Sequence, residues 1–240
     1  MSILAVRIGG LRRTENFIVM TNETYKCLDL FCGGGGASWG LHKAGFQVTG
    51  VDIKLQRGYP FEFIQSDALD VNLDGYDFIW ASPPCQGYSN HVSSSDSPYV
   101  TSRGKSEPML IAAVREKLKA SGIPYVIENV KGASKFMYFP KELCGTMFDL
   151  PIARHRLFET SFDWNVPIHY KCSGVAKKFA ENRGWEYRDM SVTGKGRHAG
   201  VKERWSEIMG IEHDMTQHQI VESIPPAYAE YIGKQFLTVP

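Results

Sequence analysis

A cysteine follows two prolines in the segment Ser82-Pro83-Pro84-Cys85-Gln86, directly after a run of aromatic and β-branched residues. The prolines restrict the backbone where the chain leaves a predicted strand, so they fix the direction of the next side chain. A thiolate there is a strong, soft nucleophile if nearby positive charge lowers its pKa. The position therefore favours Cys85 as a catalytic nucleophile, although an isolated cysteine more often serves only as buried packing.

A carboxylate and two arginines could carry further chemistry. Glu128 lies near the end of a predicted strand, where burial at the mouth of a crevice can keep a carboxyl group protonated and able to donate a hydrogen bond. Arg154 and Arg156 are two positions apart, so in a strand both would point to the same side. Such guanidinium groups can bind a phosphate or a carbonyl oxygen, and one of them can pack near Glu128.

Four consecutive glycines, Gly33–Gly36, follow a short apolar run. Glycines let the backbone approach a ligand closely, and a following helix offers free N–H groups. The spacing departs from the GxGxxG fingerprint of dinucleotide-binding proteins. However, Asp52 ends the second predicted strand, where an acid can bind ribose hydroxyls, and Asp67 ends the third, where an acid could contact adenine. The pattern predicts a site for a nucleoside-containing cofactor, and the alternative is a tight turn that only packs a helix on a strand.

Strands and helices alternate around these residues. The predicted strands are 26–31, 47–52, 61–67, 74–84 and 123–130, with helices after the glycines, at 106–121 (Ser106 as N-cap, Pro108 in the first turn) and at 227–237. This alternation predicts an α/β fold with a Rossmann-like, mostly parallel sheet, which binds ligands at the carboxyl ends of its strands. Residues 86–105, rich in serine, form a connection long enough to suggest a lid or binding loop, with disorder as the alternative.

The composition is that of a globular protein. The 240 residues are 43% hydrophobic and 22% charged, which argues against a disordered chain. No run is long and apolar enough to span a membrane, and arginines interrupt the N-terminus where a signal peptide would be apolar. The chain has 5 cysteines but no CxxC pair, so we expect neither disulfides nor a metal site, and a reducing cytoplasm as the location.

The net charge of +1 conceals an uneven distribution. Residues 163–205 hold nine basic and five acidic side chains, interleaved with tryptophan, tyrosine and phenylalanine. Basic and aromatic residues together are typical of a nucleic-acid contact surface. The alternative is a solvated basic face over a small core.

In this order, the segments resemble the motifs of the cytosine-C5 DNA methyltransferase family, and compact phage or prophage members above all. DLFCGGGG (29–36) resembles the family's first motif, SPPCQG (82–87) its proline-cysteine motif, ENV (128–130) its sixth and RHR (154–156) its arginine motif. IPPAYAEYIGKQF (224–236) resembles the last motif, in which a helix returns to complete the cofactor domain. The resemblance covers residues 26 to 237, nearly the whole chain.

The resemblance implies transfer of a methyl group from S-adenosylmethionine to C5 of a cytosine flipped out of double-stranded DNA. Cys85 would attack C6, protonated Glu128 would bind N3, Arg156 would hold O2 and pair with Glu128, and Arg154 would contact a backbone phosphate. The implied cofactor residues are Asp29, Phe31, Gly33, Gly35, Asp52, Ile53, Asp67, Ala68 and Pro83. We expect a monomer acting on DNA in a bacterial cell or a phage-infected host. The alternatives are the same chemistry on tRNA, or a catalytically silent DNA-binding relative.

The expected organisation is an extension at 1–20, a catalytic and cofactor-binding domain at 21–162, a target-recognition region at 163–215 and a completing segment at 216–240. Three features depart from the family pattern. Ile152 replaces a glutamine before the arginine motif, and Glu222 replaces an asparagine before the last prolines. The third departure is the unbroken run of glycines, which puts the rigidity of the loop in question.

Overall fold

The structure, a computed structural model, describes residues 24–89, 108–170, 172–186, 190, 192 and 202–238. The predicted extension at 1–20, most of the predicted lid at 86–105 and the predicted N-cap Ser106 lie outside the described residues. Among the residues that are described, no helix is long and apolar enough to cross a membrane.

A seven-stranded sheet forms the centre of the fold, with strand order β3-β2-β1-β4-β5-β7-β6. The strands are β1 (Lys26–Leu30), β2 (Gln47–Asp52), β3 (Glu62–Gln65), β4 (Phe78–Ala81), β5 (Tyr125–Asn129), β6 (Lys141–Leu143) and β7 (Arg156–Thr160). The first five pair in parallel, whereas β7 is antiparallel to both of its neighbours. The sheet is therefore Rossmann-like and mostly parallel, as the sequence predicts.

The helices are α1 (Gly36–Ala44), α2 (Gln86–Ser89), α3 (Ile111–Ser121), α4 (Val175–Arg183), α5 (Lys202–Met209), α6 (Gln217–Glu222) and α7 (Pro226–Thr238), with 3-10 turns at Lys131–Phe136 and Gly145–Phe148. The prediction for the third helix was wrong at its start, because Pro108 lies outside the helix. The backbone N–H of Ile111 donates to the hydroxyl of Tyr88 at 3.0 Å, and this contact supplies a partner for the first turn.

Each face of the sheet carries its own hydrophobic core. One contains the inward face of α3, with Ile111, Val114 and Leu118 against strands β1, β4 and β5. The other packs α1 and α7 through Leu41, Tyr228 and other apolar side chains. The strands buried on both faces read as continuous apolar runs, which is the pattern expected for a covered parallel sheet.

A third hydrophobic cluster lies apart from the sheet. Its buried members include Ile152, Trp205, Met209 and Ile220. This cluster draws on residues from all three predicted units between 21 and 240. A small core therefore lies beneath residues 163–205, which we call the basic region. Ile152 is part of this core, which explains why an apolar residue stands in place of glutamine at this position.

Candidate active site

The predicted cofactor residues lie at one edge of the sheet. Strands β1 to β4 are parallel, so the segments that follow Leu30, Asp52, Gln65 and Ala81 meet at the same carboxyl edge. Phe31, Gly33 and Gly35 form the turn after β1, all with positive φ angles of 62°, 50° and 91°. This crevice is where open α/β sheets bind ligands.

The carboxylate of Asp52 holds the glycine turn. Its Oδ2 accepts a hydrogen bond from the backbone N–H of Gly33 at 3.1 Å, and its Oδ1 accepts one from Lys54 at 2.9 Å. A Cβ built on Gly33 meets nothing within 4 Å, so the turn faces open space there. The neighbouring Ile53 is a large apolar side chain with 64% of its surface exposed. A carboxylate, a backbone turn with open space beside it and an exposed apolar side chain suit a ribose and a purine.

Asp29 lies beneath this turn and is completely buried. The Ser38 hydroxyl donates to its Oδ2, and the Tyr59 hydroxyl donates to Ser38 at 2.7 Å. Its Oδ1 has no hydrogen-bond partner among the described residues. Burial, reinforced by the charges of Asp52 and Glu128, raises the pKa of Asp29 to about 7.

The remaining predicted cofactor residues are divided between surface and core. Asp67 is exposed, and its Oδ1 accepts a hydrogen bond from the backbone N–H of Leu69 at 2.9 Å. Ala68 is 3% exposed and belongs to the core, and Pro83 is also buried. These positions line the same edge, but only Asp67 presents a polar side chain there.

The turn that carries Cys85 is fixed by β5. The side-chain amide of Asn129 donates to the carbonyl oxygen of Pro83 at 2.9 Å, and the N–H of Ser82 donates to Leu30 at 3.1 Å. Cys85 itself is half-buried and immediately precedes α2. Sequence reasoning missed the role of Asn129, although it lies in the ENV segment that was singled out.

Glu128 and Arg156 come together because β7 runs antiparallel to β5. Glu128 pairs with Phe158, so the start of β7 lies beside the end of β5. Arg156 Nε lies 3.2 Å from Glu128 Oε1, and the glutamate is 6% exposed. Burial raises the pKa of Glu128, while Arg156 and a hydrogen bond from Ser82 act against that rise. The carboxyl group is therefore suited to keep a proton that a solvated glutamate would lose.

Arg154 is turned into the protein. Its guanidinium donates to the carbonyl oxygens of Val192 at 3.2 Å, Val221 at 2.6 Å and Ser223 at 2.7 Å. Burial and the charge of Arg156 lower the pKa of Arg154 to about 9, and the charge of Cys85 acts in the opposite direction. By the same coupling, the guanidinium favours the thiolate form of Cys85. A phosphate contact, the role predicted for Arg154, is not what these carbonyl contacts favour.

The consecutive glycines are explained by the C-terminal segment that crosses them. A Cβ on Gly34 would come within 2.6 Å of Met215, and a Cβ on Gly36 within 1.7 Å of the Ser223 hydroxyl oxygen. The glycine turn is therefore held in place by close packing. Glu222 points outwards and lies 3.3 Å from His218, so the added acid is exposed.

In the basic region, residues 163–205, some of the described aromatic side chains are buried and others are exposed. Trp164 and Trp205 are buried, whereas Tyr170 is exposed. Arg183 pairs with Glu207 at 2.5 Å, and its guanidinium lies over the rings of Phe179 and Trp185. The aromatic pattern thus reflects the third hydrophobic cluster as well as the surface.

The sheet order, with an antiparallel seventh strand beside the fifth, and a crevice at the carboxyl edge define a methyltransferase fold. Residues 25–138 match the family model "C-5 cytosine-specific DNA methylase", which spans the glycine turn, Cys85 and Glu128. Over this segment the chain is similar to the C-5 cytosine-specific DNA methylase family, and this similarity implies methyl transfer that depends on S-adenosylmethionine. The match ends before Arg154, the basic region and the last helix.

Solved structures share the fold over most of the chain. One is a candidate DNA modification methyltransferase encoded within an Escherichia coli prophage, with 14% identity, a TM-score of 0.54 and coverage of 89% of this chain and 99% of that one. Another is the Dnmt2 methyltransferase of Schizosaccharomyces pombe, with 13% identity, a TM-score of 0.52 and coverage of 90% and 98%. A search of curated proteins gave no significant match.

Proposed function

We propose that the chain transfers a methyl group from S-adenosylmethionine to C5 of cytosine in double-stranded DNA. The observation that carries the proposal is the buried pair of Glu128 and Arg156, 3.2 Å apart, beside the turn that presents Cys85. A binding protein needs neither a half-buried thiol at a crevice nor a buried carboxyl group with a raised pKa. These groups support an active enzyme over a silent relative.

The cofactor would lie at the carboxyl edge of β1 to β4, where it would supply an electrophilic methyl group. The free space at Gly33 allows the backbone to approach it, and Asp52 keeps that turn in position. Asp52 would bind the ribose hydroxyls, while Ile53 and Phe31 would contact the base and Asp67 its amino group. Asp29, Gly35, Ala68 and Pro83 would shape the pocket from below, and the product would be S-adenosylhomocysteine.

Cytosine would enter the crevice flipped out of the duplex, since C5 and C6 are shielded within the base stack. The Cys85 thiolate would form a bond to C6, and the electron pair displaced towards C5 would make that carbon nucleophilic. Protonated Glu128 would donate a hydrogen bond to N3, and Arg156 would hold O2. After methyl transfer a base would take the C5 proton, and the resulting electron pair would expel Cys85 as thiolate.

Arg154 takes a different role in this proposal from the phosphate contact expected from the sequence. Its three carbonyl contacts support a positioning residue that ties Val192 and the segment at 221–223 to the start of β7. Its charge would also favour the Cys85 thiolate. The catalytic set proposed to touch the base is then Cys85, Glu128 and Arg156.

Residues 163–215 would contact the DNA, with the protein acting as a monomer in the cytoplasm of a bacterium or of a phage-infected host. Methylation of phage DNA or a restriction-modification system would be its context. The excess of basic residues at 163–205 supports a phosphate-contacting surface, so binding should weaken steeply with salt.

The test is covalent trapping on duplex DNA that contains 5-fluorocytosine, with the cofactor present. Fluorine at C5 cannot leave as a proton, so the bond between Cys85 and C6 should persist and be visible as a shifted band in a denaturing gel. Cys85→Ala should abolish the band. Cys32→Ala should retain it, which separates the two cysteines that lie near the cofactor crevice.

A band of equal strength with Cys85→Ala would remove Cys85 as the nucleophile. No band on DNA of diverse sequence, together with a band on fluorinated tRNA, would assign the same chemistry to RNA. If the protein binds S-adenosylhomocysteine but forms no band on either substrate, the proposed reaction is refuted and the chain is a catalytically silent binding protein.

A further inference from the structure

Two cysteines and two histidines cluster around His155, which lies between Arg154 and Arg156. One possible ligand atom from each of Cys144, His155, His169 and Cys172 lies within 4.8 Å of all the others. Cys172 Sγ and His155 Nε2 are 3.9 Å apart. A tetrahedral zinc site with two sulfur and two nitrogen ligands needs ligand atoms about 3.3–3.8 Å apart. The four side chains would thus have to move by no more than about 1 Å to enclose an ion.

The sheet brings the first two ligands together. Leu143 at the end of β6 pairs with Arg156 at the start of β7 in antiparallel register. The next residue on one strand, Cys144, therefore lies opposite the preceding residue on the other, His155. His169 and Cys172 come from the connection that leads into the basic region, with two residues between them. That short spacing is common for pairs of zinc ligands.

The surroundings suit a thiolate-bound cation. The hydroxyl of Thr146 lies 3.3 Å from Cys144 Sγ, and the backbone N–H of the same residue also bonds this sulfur. Both groups can donate to a thiolate. Glu142 Oε1 lies 3.6 Å from His155 Nε2. The same carboxylate oxygen forms an ion pair with Lys131 Nζ at 3.1 Å.

We propose that Cys144, His155, His169 and Cys172 bind one zinc ion in a closed, structural site. The site lies outside the segment matched by the methylase family, and it does not take part in the proposed methyl transfer. Zinc would fix His155, and with it the backbone between Arg154 and Arg156. It would also join the start of the basic region to the sheet. The prediction of no metal site was based on the absence of a CxxC pair, whereas the informative pair is His169-x-x-Cys172.

The direct test is the metal content of untagged protein, purified without a chelating resin and measured by inductively coupled plasma mass spectrometry. We expect one zinc per chain. Protein refolded with Co²⁺ should show the intense visible bands of a tetrahedral ion and the charge-transfer absorption of thiolate ligands. Both readouts are independent of methyl transfer, so a failed activity assay would not affect them.

The variants His169→Ala and Cys172→Ser should lose the zinc, since each removes one ligand at an exposed or half-buried position where folding is tolerant. His218→Ala and Cys85→Ser are the matched controls outside the cluster and should retain it. A strong chelator should lower the melting temperature of the wild-type protein and leave that of Cys172→Ser unchanged.

Three results would overturn the proposal. The first is a zinc content far below one per chain that reconstitution does not raise. The second is a cobalt spectrum of octahedral type without thiolate absorption. The third is a disulfide between Cys144 and Cys172, detected as a mass difference on reduction in protein prepared without reductant.

Discussion

Arg156 approaches Glu128 with its Nε 3.2 Å from a carboxylate oxygen, in a place where the glutamate is almost excluded from water. Two opposing effects meet in this pair. Burial favours the protonated carboxyl group, and the guanidinium favours the ionised one, but burial is the larger effect and the pKa of Glu128 is raised. The pair therefore presents an acid that can hold its proton and a cation that can hold a carbonyl oxygen.

The first prediction concerns this acid. If protonated Glu128 donates to N3, the rate of a single turnover should fall as the pH rises through its raised pKa. Glu128→Gln keeps a hydrogen-bond donor but cannot transfer a proton, so we expect a rate lower by about 10²-fold or more. In the variant, the rate should no longer fall at alkaline pH as it does in the wild type.

Glu230→Gln is a matched control, because Glu230 lies on α7, away from Glu128, and pairs with Lys234 on the same helix. It should keep both the rate and the pH profile. An unchanged alkaline limb in Glu128→Gln would assign that limb to another group and contradict the role proposed for Glu128.

The second prediction concerns stability and Asp29. The pKa of this buried acid is raised to about 7, so the folded state holds the proton more tightly than the unfolded state does. Its burial costs little below the unfolded pKa, and the penalty grows with pH until it is complete above about pH 7. Asp29→Asn removes the charge and with it this penalty. As pH rises, the free energy of unfolding of the variant should therefore increase relative to that of the wild type, by up to about 4 kcal/mol.

Urea unfolding of both proteins at about pH 5 and about pH 8 checks this sign. The difference in free energy of unfolding between variant and wild type should move in favour of Asp29→Asn at the higher pH. A difference that is independent of pH would mean that Asp29 has an ordinary pKa in the folded protein.

The third prediction separates two glycines of the same turn. In an ordinary helix, replacing glycine by alanine stabilises by up to about 1 kcal/mol. In Gly36→Ala the new methyl group would meet the hydroxyl oxygen of Ser223 at 1.7 Å and the carbonyl oxygen of Ile224 at 2.7 Å. We therefore expect destabilisation of about 2 kcal/mol, measured by urea unfolding. Stabilisation would show that the C-terminal segment does not pack on this position.

Gly33→Ala should behave differently, because a Cβ there meets nothing within 4 Å. The cost to folding should be only the backbone strain at its φ of 50°, about 1 kcal/mol. Affinity for S-adenosylhomocysteine, measured by calorimetry, should fall. Gly75→Ala is the matched control, since Gly75 also has a positive φ and open space, and it should bind the ligand normally.

The fourth prediction tests whether Arg154 positions the fold or binds phosphate. A lysine keeps the charge but cannot reproduce a guanidinium that donates to three separate carbonyl oxygens. Arg154→Lys should therefore lower the free energy of unfolding by about 2 kcal/mol in the absence of DNA. It should leave the salt dependence of DNA binding nearly unchanged.

Arg183→Lys is the control, because Arg183 makes an ion pair that is about half exposed and should contribute less than about 1 kcal/mol. If Arg154→Lys folds as stably as the wild type but binds DNA with a weaker salt dependence, the phosphate contact is its role after all.

The sequence predicted the fold well where a signal is local. Strand β2 was predicted with its true ends, Gln47 and Asp52, because β-rich residues lie between a glycine and an acid. The parallel strands then carry Asp52, Asp67 and the Pro-Pro-Cys turn to one edge without further information, since parallel order alone requires it.

What could not be predicted depends on partners far along the chain. The Arg154 side chain points inward because it donates to carbonyl oxygens at 192, 221 and 223. The sequence around position 154 does not indicate these partners. In the same way, Arg115 on α3 forms a buried pair with Glu159 at 2.5 Å, and the helical pattern of apolar residues does not indicate this partner. Charged residues carry no periodic mark that tells a buried ion pair from a solvated side chain.

The contact between the glycine turn and the C-terminal segment also sets an order of events in folding. His213 binds the carbonyl oxygen of Gly34 across 179 residues of sequence, and Ser223 packs on Gly36 in the same place. Residues as far along the chain as 223 must therefore leave the ribosome before they can pack on the start of α1. Closing so long a loop is slow compared with forming local structure. A nascent chain would thus expose the glycine turn until the segment at 213–223 has been synthesised.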